Sequence, residues 1–197
     1  MGDLRDIIAS RKSGHEPLTN KGKPIGPTLA DFWGWSRSDL VENIARGVFA
    51  EFVVATALGL SVDGTRDGWA AFDFVTPSGT KVEVKSAAYL QSWHQNALSK
   101  ISFSTRSSHA FDPEKGKFAE EKKLQADVYV FCLLAHTDKE SVDPLCLEQW
   151  RFYVLSTSQL EERTRSRESI TLESLEAMTH AIEYEGLKEA VSGAEQG

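Results

Sequence analysis

The segment Asp127-Val128-Tyr129-Val130-Phe131-Cys132-Leu133-Leu134 constrains this chain more than any other stretch. Its residues after the aspartate are apolar without interruption. Because a strand points successive side chains to opposite faces, such a run is stable only where both faces are covered. A sheet layered on both sides is therefore required, and helices are the usual cover. Trp150-Arg151-Phe152-Tyr153-Val154-Leu155 reads as a second strand. Ala70-Ala71-Phe72-Asp73-Phe74-Val75, the turn Thr76-Pro77-Ser78-Gly79 and Lys81-Val82-Glu83-Val84-Lys85 read as a hairpin. A helix is expected over 38–58, with Ser38 as N-cap and Gly59 as its stop, and further helices over 157–163 and 171–180. Residues 86–100 read as either a helix or an irregular connection, and 101–105 as a short strand before a basic loop to about 117. The fold class that follows is α/β (α+β), a central mixed sheet flanked by helices.

At 197 residues the chain suits one domain. Residues 1–30, broken by Gly14, Pro17, Gly22, Pro24, Gly26 and Pro27, read as a flexible extended arm with a short helix near 3–12. The aromatic run Asp31-Phe32-Trp33-Gly34-Trp35 is expected to tuck onto the domain, which spans 31–185, and residues 186–197 read as a frayed tail. No stretch approaches the roughly 18 apolar residues of a membrane span, and the N-terminus lacks a signal-peptide core. A soluble, cytoplasmic protein is expected. Its two cysteines, Cys132 and Cys146, are too few for a disulfide framework or a zinc site.

Net charge is −7, which argues against a polyanion partner until its distribution is considered. Residues 1–37 carry 6 basic and 4 acidic groups and 81–123 carry 8 and 5, whereas 124–197 carry 6 and 14. A phosphate-binding face is compatible with the first and third blocks, because local potential matters more than the sum. Tyr89, Trp93, His94, Lys100 and Arg106 interleave aromatic and basic side chains. They suit base stacking and phosphate contacts, or else Tyr89 and Trp93 form one packed helix face.

With the turn centred near Ser78, Phe74 faces Val82, Asp73 faces Glu83 and Phe72 faces Val84. Alternation then sends Phe72, Phe74, Val82 and Val84 to the core and gathers Asp73, Glu83 and Lys85 on the other face. Opposed carboxylates repel unless a hard cation lies between them; the alternative is a solvated face whose charged residues happen to alternate. On the helix, Leu58, Ile44, Ala55, Val48, Val41 and Phe52 form one apolar arc that encloses Glu51, while Glu42 and Arg46 lie opposite as a surface ion pair. A carboxylate inside such an arc needs a partner. Glu51 either makes a structural salt bridge, for example to an arginine from elsewhere, or shares a site with Asp73 and Glu83. Three carboxylates and a lysine suit phosphodiester hydrolysis. The carboxylates would hold Mg²⁺, with Mn²⁺ as substitute, and Lys85 would orient or deprotonate the attacking water and offset charge.

Asp73 followed after nine residues by Glu83-Val84-Lys85 resembles the PD-(D/E)XK nuclease superfamily of restriction-endonuclease-like fold. Arg46-Gly47-Val48-Phe49-Ala50-Glu51, running on to Ala57-Leu58-Gly59, looks like that fold's first core helix, and the core would cover roughly 38–135. Phe72 stands where the motif's name has proline. The resemblance implies metal-binding roles for Asp73 and Glu83, assistance from the Val84 carbonyl, a catalytic role for Lys85 and an auxiliary one for Glu51. It implies a Mg-dependent endonuclease acting on nucleic acid, DNA rather than RNA, in restriction, defence or repair. Homodimerisation would serve cutting of both strands. The alternative is a non-catalytic nucleic-acid-binding or scaffold protein that keeps the fold.

Overall fold

The computed structural model describes residues 7–112, 116–164 and 168–195. A hairpin of β1 (Pro17–Asn20) and β2 (Lys23–Thr28) leads into α1 (Leu29–Arg37) and α2 (Asn43–Ala57). Next come β3 (Phe74–Val75), β4 (Lys81–Ala88), β5 (Ser102–Ser104), β6 (Ser108–Asp112) and β7 (Lys117–Lys123). β8 (Val128–Leu134), β9 (Trp150–Ser156), α3 (Thr157–Thr164), β10 (Ser169–Thr171), α4 (Leu172–Glu176) and α5 (Leu187–Ala194) complete the chain.

The main sheet has the order β3-β4-β8-β9. β4 and β8 run parallel, while β3 with β4 and β8 with β9 pair antiparallel. This is the expected mixed sheet, and every residue of β8 is buried. Alternation divides its side chains between two cores. Val128, Val130, Cys132 and Leu134 join Val82 and Val84, the α2 residues Ala50, Val53 and Val54, and Leu187 and Val191 of α5. Tyr129, Phe131 and Leu133 meet Leu160 of α3, Ile170 of β10 and Leu175 of α4. At its centre Phe131 stands edge-on to Phe103 of β5, with ring centroids 5.2 Å apart. A parallel pair needs a long crossover; between β4 and β8 it is an irregular connection with short strands, so residues 89–100 form no helix.

Several expectations need correction. Helix α2 starts at Asn43, because Ser38 closes α1 as its C-cap, its Oγ donating to the Gly34 carbonyl at 2.5 Å. The N-cap of α2 is Glu42, whose carboxylate accepts from the Ile44 and Ala45 amides at 3.0 and 2.9 Å. Gly59, at φ +71°, ends the helix as expected. The buried stripe is not the predicted arc: Ile44 and Phe52 are 65% and 51% exposed, whereas Ala45, Arg46, Ala50, Val53 and Val54 are buried. Small side chains let the helix lie close on the sheet, and packing volume outweighs hydrophobicity in choosing the face. Arg46 is consequently interior and forms no surface ion pair with Glu42.

The hairpin β1–β2 occupies part of the predicted arm, and residues 7–12 have no regular structure; the remainder of the helix expected near 3–12 falls on residues 1–6, outside the described residues. The aromatic run is helix α1, with no buried residue and Trp35 85% exposed. β6 and β7 pair where a loop was expected. The helix expected over 171–180 is the shorter α4. The expected tail contains α5, with Leu187 and Val191 fully in the core. Replacing Glu42 by alanine should lower stability, as loss of an N-cap does, while Ser38→Ala should leave α2 intact. Urea denaturation of the two variants checks this.

Candidate active site

Strand β4 displays Glu83 and Lys85 on the side of the sheet that carries Tyr129 and Phe131, their register partners on β8. The two side chains are ion-paired to each other and partly shielded, at 19% and 30% exposure. Val84, between them, turns its side chain to the opposite core. The predicted hairpin register holds, since Phe74 pairs with Val82. Regular pairing stops one residue earlier. The Asp73 amide still donates to the Val82 carbonyl at 3.0 Å, but its carboxylate takes over the Val84 amide at 2.7 Å. Asp73 is thereby locked across β4 from Glu83. Phe72 leaves the predicted face and packs against the core containing Phe131, with the Lys81 ammonium 5.5 Å from its ring centre. The expected strand over 70–75 is correspondingly reduced to Phe74–Val75.

Glu51 arrives from α2 with its side chain 16% exposed. The 61–73 connection supplies Arg66, whose guanidinium forks onto Glu51, Nη2 to Oε1 at 2.8 Å and Nε to Oε2, and reaches Asp73 Oδ1 at 3.7 Å. Glu51 thus bridges to an arginine from elsewhere and lines the same groove as Asp73. Arg66 escaped the sequence reading because it sits in a turn-rich connection whose path only the fold fixes. The neighbouring phenol of Tyr129 is also raised in pKa, by burial first and then by Glu83.

Burial pushes the Asp73 carboxyl up to about 7, helped by the charges of Glu83 and Glu51 and opposed by the Val84 amide and Lys85. Asp73 therefore feels both other carboxylates. Among the described residues no three His, Cys, Asp or Glu side chains are gathered tightly enough to enclose a metal ion as they stand. Glu83 is held by Lys85 and Glu51 by Arg66. The donor chemistry nonetheless fits a hard divalent cation, since the acceptors are carboxylate oxygens whose mutual repulsion a cation relieves. A groove of about 450 Å³ opens beside them, lined by Glu51, Arg66 and Asp73 and by apolar residues such as Val48, Phe52 and Phe74.

The burial of Asp73, with the repulsion beside it, predicts a pH dependence. Its native pKa, about 7, lies above its ordinary 3.8, so the native state holds an extra proton between those values. Its contribution is full below pH ~4 and is lost as pH rises through ~7. Asp73→Asn, which keeps an acceptor for Val84, should flatten that slope and raise stability at pH 8 by on the order of 1–3 kcal/mol. Urea unfolding at pH 5 and pH 8 measures both.

Of the aromatic and basic residues after β4, Tyr89 packs against the core that holds Phe131, Trp93 is 55% exposed, and Arg106 pairs with Glu168 at 2.9 Å. They form no single helix face. No helix among the described residues is long and apolar enough to cross a membrane.

A mixed sheet flanked by helices, with carboxylates and a lysine on its edge hairpin, is consistent with an α/β domain of nuclease-like architecture. Residues 32–174 match the model of the bacteriophage T4 endonuclease IV family, which covers well over half of the chain. The chain belongs to that family and so stands among the nucleases. No curated protein matches it.

Proposed function

We propose that this chain is a divalent-metal-dependent endonuclease acting on DNA, with the PD-(D/E)XK site formed by Asp73, Glu83, Lys85 and Glu51. The observation that carries the reading is the placement of Asp73 across from Glu83 with Lys85 alongside. Membership in an endonuclease family supports the reaction class, and the resemblance to restriction-endonuclease-like enzymes supports DNA as substrate.

Asp73 and Glu83 would hold Mg²⁺ or Mn²⁺, with the Val84 carbonyl assisting. The ion, when bound, supplies polarisation of the scissile phosphate and a lowered pKa for a bound water. Lys85 orients the attacking water and offsets negative charge as it develops. Glu51 assists from the helix, and Arg66 positions it by holding both of its oxygens while touching Asp73. Arg66 is thus a positioning residue, and it keeps three neighbouring carboxylates compatible until a cation arrives.

The test is cleavage of plasmid, linear duplex, single-stranded DNA and RNA by the purified chain with Mg²⁺, Mn²⁺ or EDTA. DNA cutting that requires the metal is expected. Cutting undiminished in EDTA removes the metal site from the proposal, and RNA cut in preference to DNA removes the substrate assignment. A folded chain that binds DNA without cutting any substrate supports the non-catalytic binding reading instead.

A further inference from the structure

A second cavity, of about 280 Å³, lies between the first turn of α2 and the end of β4, lined among others by Arg46, Ser86, Gln91, Ser99 and Lys100. Arg46 is only 4% exposed. Its Nη1 donates to the Val41 carbonyl at 2.7 Å and its Nη2 to Asn43 Oδ1 at 2.8 Å. Its Nε–H has no partner. Among the described residues no carboxylate stands within ion-pair distance of the guanidinium, and nearby Glu42 is already engaged with the helix amides. A buried cation without a counter-ion is costly, and an arriving anion reverses the sign of that cost.

Across the cavity Gln91 presents a second orphan. Its Nε2 donates to the Ala88 carbonyl and to Ser99 Oγ, both at 3.2 Å, which fixes the orientation of the amide. Its Oε1 is buried and accepts nothing. The cavity is thus lined by a buried guanidinium that feels Glu42 only at a distance and by a glutamine with an unfilled acceptor. Phosphate oxygens suit the guanidinium. A phosphodiester group alone brings no donor for Gln91, whereas the attached sugar or base carries N–H or O–H groups.

We propose that this cavity is a backbone-phosphate subsite for a nucleotide of the bound strand, with Arg46 at its base, Lys100 at its rim and Gln91 hydrogen-bonded to the attached sugar or base. The inference rests on the endonuclease reading and deepens it. Ser86 faces α2, so the cavity opens on the α2 side of the sheet, on the helix that also carries Glu51. It also answers how a chain of net charge −7 holds a polyanion: positive potential is concentrated in one recess.

The experiment is fluorescence anisotropy of labelled single-stranded and duplex DNA with the full chain in EDTA, over a salt titration, with thermal melting as the control for folding. Arg46→Lys, which keeps the charge but removes the forked donors, and Lys100→Ala should each weaken binding at least fivefold. Lys100→Ala should also lower the slope of log K against log salt by about 1, as loss of one phosphate contact does. Gln91→Ala should weaken binding of a dinucleotide and leave that of dimethyl phosphate, which has no donor, unchanged. If Arg46→Lys fails to fold, Lys100, which is exposed, decides alone. A wild-type chain that binds and cuts DNA while folded variants match its affinity and salt slope overturns the subsite only. A wild-type chain with no affinity for either oligonucleotide overturns the subsite and the endonuclease reading together.

Discussion

Replacing Lys85 by alanine is expected to lower the DNA cleavage rate by roughly 10²–10³ or more, the usual cost of removing a preorganised charge from a transition state, while the protein stays folded. The side chain is 30% exposed and among the described residues pairs only with Glu83, so its truncation leaves no core cavity. The electrostatic consequence is larger than the steric one. With the Val84 amide, Lys85 opposes the rise in the Asp73 pKa, and without it the carboxyl is pushed higher still. A carboxyl that holds its proton near neutral pH is a poor ligand, so the variant should also need more metal and a higher pH. Glu83→Ala should fall at least as far in rate, since it removes a ligand outright, yet it should relieve the repulsion at Asp73 and raise stability above pH 7. Initial rates against Mg²⁺ concentration, with melting curves beside them, separate the two effects. Cleavage by Lys85→Ala at the wild-type rate would place the chemistry elsewhere.

Leu187→Ala should cost about 2–5 kcal/mol, the range for a leucine removed from a sealed core. Leu187 has no exposed surface, and with Val191 it closes the core shared by α2 and the even-numbered face of β8. Short helices have little stability of their own, so α5 survives through this packing alone, and its loss would uncover the sheet face beneath Trp150 and Phe152. Lys188→Ala, one residue on and exposed, should change stability by less than about 0.5 kcal/mol. Urea denaturation distinguishes the pair. Equal stabilities would mean that the C-terminal segment does not seal this core.

The sequence carried what depends on local order. An unbroken apolar run from Val128 to Leu134 fixed a strand covered on both faces, and hence the layered sheet. Period-two alternation and the turn ending at Gly79, which has φ +92°, placed Phe74 opposite Val82 and so Asp73 across from Glu83. Tertiary structure decided what depends on competition between surfaces. Helix α2 has two apolar stripes, and only the sheet's demand for close approach selected Ala50, Val53 and Val54 over Ile44, Val48 and Phe52. That choice carried Arg46 inside and left Glu51 on the shoulder where Arg66 meets it. Phe72 departed from alternation because Asp73 turned its carboxylate onto the Val84 amide and ended the ladder. The tail became α5 because the sheet left a face that only chain remote in sequence was free to cover. Alternation and turn geometry act between neighbours and are written in the sequence; which of several apolar faces is buried depends on volumes that meet only in the folded chain.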